Sequence, residues 1–261
     1  MPSRQIAFSL VELSIVLVIL GLLTGGILAG QSLIRAAELR SVSTDYNRYK
    51  TAVGTFRDKY FALPGDMASA YKFWGVVLGC TDESSSAVSG TGCNGNGDGR
   101  IGGTPPTFVT EFAERFRAWQ HLASAGLIEG QYTGVAGPDN AAHAVARTNV
   151  PASRISNGAF MIETIGPYTS SSFYKTHNYG NSISVGNPTT LAGVIGVRGA
   201  LFTSGDAYAI DVKLDDGMPT QGFMIIFGNT DCRDGAGTDP TGPYNLDVNV
   251  VSCAIMFLNS F

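Results

Sequence analysis

From Phe8 to Gly30 the chain is apolar at nearly every position. The run FSLVELSIVLVILGLLTGGILAG is interrupted only by small hydroxyl residues and one carboxylate, Glu12. About 20 apolar residues suffice to span a bilayer as a helix. From Gln31 the composition turns polar, yet a stripe persists at Leu39, Val42, Tyr46, Tyr49, Val53, Phe56 and Tyr60, spaced alternately three and four apart. That spacing marks one face of a helix, and Arg40, Asp45, Arg48, Lys50, Arg57 and Asp58 fall off it. The pattern predicts one helix from Phe8 to about Lys59, roughly 80 Å long at 1.5 Å per residue. Its first half suits lipid or a filament core, and its second half suits packing on a globular domain. Pro64 and Gly65 are expected to end it. Gly21, Gly25, Gly26 and Gly30 are weak helix formers and suit either close helix packing or local stretching.

Beyond the helix, ALPGDMASAYKFWG reads as a loop and a short helix with Asp66 as its cap. Residues 79–107 are loop-like and rich in Gly and Ser. TEFAERFRAWQHLASAGLIEGQYTG predicts an amphipathic helix with Phe112, Phe116, Trp119, Leu122 and Ala123 on one side. Thr110 would cap its start, Gly126 would stop it, and Glu111 and Glu114 would form its solvated face. After residue 150 the apolar runs GAFMIETIG, NSISVG, TLAGVIGVRGALFT, GFMIIFG and VVSCAIMFL are separated by Gly, Pro, Asn and Asp, the mark of short strands. The expected fold is α+β, a long N-terminal helix lying on an antiparallel sheet. No internal repeat or linker divides the globular part.

Composition narrows the function. The chain has 261 residues and is 44% hydrophobic, enough to bury a core and too apolar to be disordered. A net charge of −4 argues against a generic nucleic-acid-binding surface. The four cysteines, Cys80, Cys93, Cys232 and Cys253, include no CxxC pair, and His121, His143 and His177 are scattered, so no zinc site is expected. An even number behind an exported N-terminus suggests two disulfides in an oxidising compartment. Three pairings are open; the local ones, Cys80–Cys93 and Cys232–Cys253, close short loops and are preferred over four buried free thiols. No G-x-S-x-G, H-E-x-x-H or Walker A loop is present. His121 reads as a surface or packed residue rather than a base, and Trp74 and Trp119 as core.

Two ordinary readings of the N-terminus fit poorly. A secretory signal wants a small-residue cleavage site after its apolar run, and GILAGQ is a poor one. A simple membrane anchor would avoid Glu12, because a charge in hydrocarbon costs several kcal/mol. The stretch AFSLVELSIVLVILGLL instead resembles the N-terminus of type IV pilins and type II secretion pseudopilins. That resemblance implies cleavage by a prepilin peptidase between Ala7 and Phe8 and N-methylation of Phe8, with Glu12 as the fifth mature residue. The family usually has Gly before the cut, where this chain has Ala7. Loss of residues 1–7 removes Arg4 and takes the formal charge from −4 to −5. Glu12 then pairs with the Phe8 amine of a neighbouring subunit and sets register, as one buried polar residue does in coiled coils. The implied organisation is a leader at 1–7, a membrane and filament-core helix at 8–30, its amphipathic continuation at 31–60 and a pilin-like domain at 61–261. The blocks WQHLASAGLIEGQYTG, DAYAIDVKLDDGMPTQG and SCAIMF also look like large pilin-like proteins.

Two stretches carry candidate metal chemistry. In NGNGDGRIGG, Asn94, Asn96 and Asp98 alternate before Gly99, as in the first part of an EF-hand-like calcium loop. The twelfth position is Pro105 rather than a glutamate, and a Gly/Asn turn is the simpler reading. In KLDDGMP, Asp215 and Asp216 are a second calcium candidate, since pseudopilins are similar in carrying a calcium site in a late loop; an Asp-Gly turn explains them equally well.

The expected function is a structural, non-enzymatic filament subunit, a type IV pilin of minor or specialised kind, needing no cofactor beyond calcium at those loops. Its expected partners are the peptidase, an inner-membrane assembly platform, the membrane before assembly, and copies of itself or other pilins. The alternatives are a type II secretion pseudopilin and, of another class, a membrane-tethered adhesin or DNA-uptake module. The last requires an exposed aromatic or basic patch, and none is evident in the sequence.

Overall fold

The computed structural model describes residues 10–83, 92–102, 113–140, 142–165, 179–188, 196–228, 231–234 and 242–261. The chain divides into two units, one ending at Arg40 and one running from Ser41 to Phe261. Helix α1 (Leu10–Tyr60) contributes to both. In the first unit none of the described residues is buried, and the large apolar side chains from Leu10 to Ile34 are 50–85% exposed.

The second unit is built on the predicted stripe. Val42, Tyr46, Tyr49, Val53 and Phe56 are buried, while Tyr60 at the stripe's end is half-buried. Tyr46 stacks on Phe257 with ring centroids 4.0 Å apart, and Tyr49 sits edge-on to Trp119 and Phe160 at 4.9 and 5.1 Å. Such aromatic pairs add to what the buried area itself contributes. Phe61 ends α1 by taking a left-handed backbone, φ 53°, with its N–H donated to the Arg57 carbonyl at 2.8 Å.

The sheet among the described residues has five antiparallel strands: β1 (Ala159–Ile165), β2 (Gly180–Gly186), β3 (Phe202–Thr203), β4 (Met224–Gly228) and β5 (Val251–Phe257). β1 pairs with β2 from Ala159↔Gly186 to Ile165↔Gly180. β5 is the hub and pairs with β2, β3 and β4. The expected α+β arrangement is therefore present. Of the strand-like run at 190–203, the described residues form a strand at Phe202–Thr203, and residues 189–195 lie outside the described set.

Three further helices complete the fold: α2 (Ala70–Trp74), α3 (Ala113–Ser124) and α4 (Ser204–Leu214). α4 was not expected. It opens on a capping box in which Thr203 and Asp206 satisfy each other's main-chain N–H groups. α3 packs on β1 and stops as predicted, Gly126 adopting φ 71° and Leu127 N–H returning to the Leu122 carbonyl. The residues read as its cap and first turn, Thr110, Glu111 and Phe112, lie outside the described set.

Two expectations about acids are corrected. Glu114 is not on a solvated face; it is 2% exposed. Asp66 does not cap α2, whose N-cap Ser69 makes no side-chain cap bond; its carboxylate is used elsewhere, as described below. α3 also delivers Arg115 to a buried ion cluster. Glu163 on β1 lies 3.1 Å from Arg115 and 2.9 Å from Arg198 and accepts the Ser184 hydroxyl at 2.9 Å. Burial alone would raise the Glu163 carboxyl, but Arg198, Arg115 and Ser184 outweigh it and hold it below the usual range. Cys80 is joined to Cys93 and Cys232 to Cys253, with Cα atoms 5.1 and 5.4 Å apart.

Candidate functional site

The apolar helix comes first. Glu12 lies in the first turn of α1 and is exposed, with its negative charge at the end the helix dipole favours. Over the most apolar 18 residues mean hydropathy is 2.4, and none of that window is buried. The hydroxyls in the run satisfy themselves: Ser14 donates to the Val11 carbonyl, Thr24 to Leu20 and Ser32 to Ala29, each at 2.9 Å. The helix backbone and these hydroxyls therefore make no demand for water. Glu12 is the one ionisable group between Leu10 and Ile34. Ala7 and Phe8, the predicted cleavage pair, lie outside the described residues.

The glycine-rich loop is the second site, and its side chains make a dense set of main-chain hydrogen bonds. Asn94 is buried; its Oδ1 accepts the Tyr71 N–H at 2.9 Å and its Nδ2 donates to the Glu83 carbonyl. Asn96 Oδ1 accepts the Asp98 N–H, and Asp98 Oδ1 accepts the Arg100 N–H, both at 2.9 Å. The loop wraps two buried acids that sequence reasoning placed elsewhere. Asp66 accepts N–H groups from Gly97, Asp98 and Gly99 at 2.7, 3.0 and 2.9 Å. Glu114 accepts those of Asn96 and Gly102 at 2.9 and 3.0 Å. Gly95 has to be glycine, because a Cβ there would collide with the Asp66 main chain and the Gly65 carbonyl.

Asp98 thus meets Asp66 and Glu114, and one oxygen of each lies within 4.8 Å of the others. An all-oxygen set is the chemistry calcium prefers, though these oxygens already accept main-chain donors. At the late loop, Asp215 and Asp216 come together with the buried Asp211 in the same way. Asp215 accepts the N–H groups of Phe223 and Met224, Asp216 that of Met218, and Asp211 the Tyr244 hydroxyl. These are turn and loop-closing bonds.

Burial pushes Glu114 from its ordinary 4.5 up to about 7; Asp66 and Asp98 add to this, against the N–H donors of Gly102 and Asn96. A raised carboxyl stabilises the fold fully below about 4.5 and loses that contribution as pH rises through 7. Asp66 is raised in the same sense by burial. The detergent-solubilised full chain, kept in chelator, should therefore melt at a lower temperature at pH 8 than at pH 5.5. Glu114→Gln should flatten that slope; a melting temperature that climbs over this range contradicts the assignment.

His121 is a packed residue. Its Nδ1 accepts the Gly65 N–H and its Nε2 faces the Cys93 carbonyl, both at 2.9 Å. Burial, and then Arg117, lowers it to about 4, so it stays neutral. Trp119 is core, whereas Trp74 is half-buried. The structure also shows what the sequence did not: Phe61 is 93% and Phe73 58% exposed, the latter edge-on to Tyr60.

Comparison with known proteins bears on the helix. Residues 2–28 match the family model described as the prokaryotic N-terminal methylation motif. No curated protein and no solved structure matches the chain. The motif coincides with the apolar run and its single carboxylate, so residues 2–28 carry a prokaryotic N-terminal methylation motif, the kind of signal seen in prepilin-type proteins.

Proposed function

We propose that the chain is a structural subunit of a type IV pilus or pilus-like filament, minor or specialised rather than the repeating major subunit. The carrying observation is the methylation motif on an apolar helix whose one ionisable residue is Glu12. Prepilin peptidase removes residues 1–7 and the new Phe8 amine is methylated. The helix holds the subunit in the inner membrane with the globular domain in the periplasm. An assembly platform then moves it into a helical filament of pilins. Burial of residues 8–30 among neighbouring helices holds the filament, and the Glu12 carboxylate meets a neighbour's Phe8 amine. The subunit performs no catalysis.

The large domain supports the minor or specialised role, since a major subunit repeats many times. A type II secretion pseudopilin shares the same signal. Neighbouring genes separate the two: a retraction ATPase favours the pilus, whereas secretin and secretion ATPase genes with few pilin genes favour secretion. The direct test is electron microscopy of sheared surface filaments labelled with antibody to residues 61–261. Label along or at the tip of filaments is expected; label confined to the cell envelope overturns the pilus reading.

A further inference from the structure

Among the described residues of the second unit, two sets of large apolar side chains stand exposed. One is Tyr208 and Val212 on α4 with Leu246, Val250 and Val251, and the exposed acids Asp216 and Asp247 lie close by in sequence. The other follows the end of α1 and passes through α2: Phe61, Phe73, Val76 and Leu78 are 56–93% exposed. Its flanking charge has the opposite sign. Arg57, Lys59 and Lys72 are exposed, against the single exposed acid Asp58; the other acid of this stretch, Asp66, is buried. The rings and cations lie side by side. Phe73 stands edge-on to Tyr60 with centroids 5.3 Å apart, and Lys59 Nζ is 5.1 Å from the centroid of the same Tyr60 ring. Phe61 comes next in the chain with a φ of 53°, a left-handed backbone that suits glycine. Keeping this ring in water therefore carries a backbone strain as well as the exposure.

The geometry points to a lipid-docking face on the globular domain: Phe61, Phe73, Val76 and Leu78 enter the headgroup boundary of a bilayer while Arg57, Lys59 and Lys72 meet its acidic headgroups. An exposed apolar patch marks a contact surface, and the charge around this one selects an anionic partner. Aromatic side chains favour the membrane–water boundary, and each cation near an anionic leaflet adds to the attraction. A single-stranded nucleic acid would ask for rings on which bases stack. Half of the patch is aliphatic, at Val76 and Leu78, and buries only against an apolar phase. The face is distinct from the apolar run that ends at Ile34, and its chemistry does not depend on assembly into a filament.

The test holds the full chain in nanodiscs of phosphatidylcholine, so that its apolar helix is already housed, and floats the discs with separate vesicles. Discs carrying the chain should float with vesicles of phosphatidylcholine and phosphatidylglycerol and be released by high salt. Vesicles of phosphatidylcholine alone should carry about a tenth as much. Phe61→Gly removes both the strain and the ring, so the solubilised chain should melt no lower than wild type while flotation falls about tenfold. Phe61→Trp should keep it. Lys59→Glu with Lys72→Glu should lower flotation on the anionic vesicles to the level seen on phosphatidylcholine. Equal flotation of discs without the chain, or of the glycine variant, overturns the docking face. Binding of oligothymidylate in solution without flotation overturns it in favour of nucleic acid. None of these results bears on whether the chain is found in filaments, so the two readings fail separately.

Discussion

Glu12→Ala is expected to be cleaved, methylated and retained in the membrane normally, yet to leave filaments reduced by about a hundredfold or more. The physical reason lies in what surrounds the carboxylate. In the membrane-held subunit Glu12 is a charge near the end of an apolar helix. In the bundle we propose, it would face a neighbour's amine with little water to screen the pair. Removing one partner of such a pair leaves an uncompensated buried ammonium, a loss of about 3–5 kcal/mol. Each subunit added to the filament suffers the same loss. Glu12→Gln keeps an acceptor for the amine and should fall between wild type and alanine. Immunoblots of the sheared surface fraction against the membrane fraction measure this; filaments from the alanine variant at wild-type yield contradict the register role.

Glu163→Ala should be the most damaging single change in the globular domain. Its carboxylate is 1% exposed and answers two guanidinium groups, Arg115 and Arg198, along with the Ser184 hydroxyl. Without it both arginines remain in the interior facing each other. The expected cost is about 3–5 kcal/mol, or a fall of about 10 °C or more in melting temperature for a domain of this size. The pH signature has the opposite sign to that of Glu114. The Glu163 carboxyl is depressed, so its contribution is present above about 4.5 and is lost as pH falls through its lower folded value. Wild type should therefore weaken in both directions: towards acid through Glu163, and from about pH 4.5 up to about 7 through Glu114. Thermal unfolding of the full chain in detergent across pH 3–9 checks both limbs. A Glu163→Ala chain within about 1 kcal/mol of wild type would show that the cluster is not the anchor between α3 and β1.

The two halves of α1 were legible for different reasons. The 3,4 spacing from Leu39 to Tyr60 reports one buried face, and the residues on it do pack against the strands and α3. The apolar run stands out from an ordinary span through one misfit, Glu12, which residue type alone exposes. The acids of the domain were illegible for the converse reason. Glu114 looks like a solvated helix residue because acids usually are, and its partners are main-chain N–H groups at Asn96 and Gly102, which have no side-chain signature. Asp66 was assigned to the nearest helix start, but its donors lie about 30 residues on, in a loop that only folding brings back. α4 was passed over although Thr203 and Asp206 carry the spacing of a capping box. Of the alternating Asn94, Asn96 and Asp98, two close short turns and Asn94 ties α2 to the loop, contacts that the alternation itself does not show. Phe61 had no signal in the sequence, because exposure of an aromatic depends on where the helix ends.

The central claim is that this chain is a processed prepilin-type subunit, and the mass of its mature N-terminus tests that most directly. Intact-mass and peptide mass spectrometry of protein from the native membrane should find a chain that begins at N-methyl-Phe8, with residues 1–7 gone. A chain that still begins at Met1, or one cut near Gly30, contradicts the account.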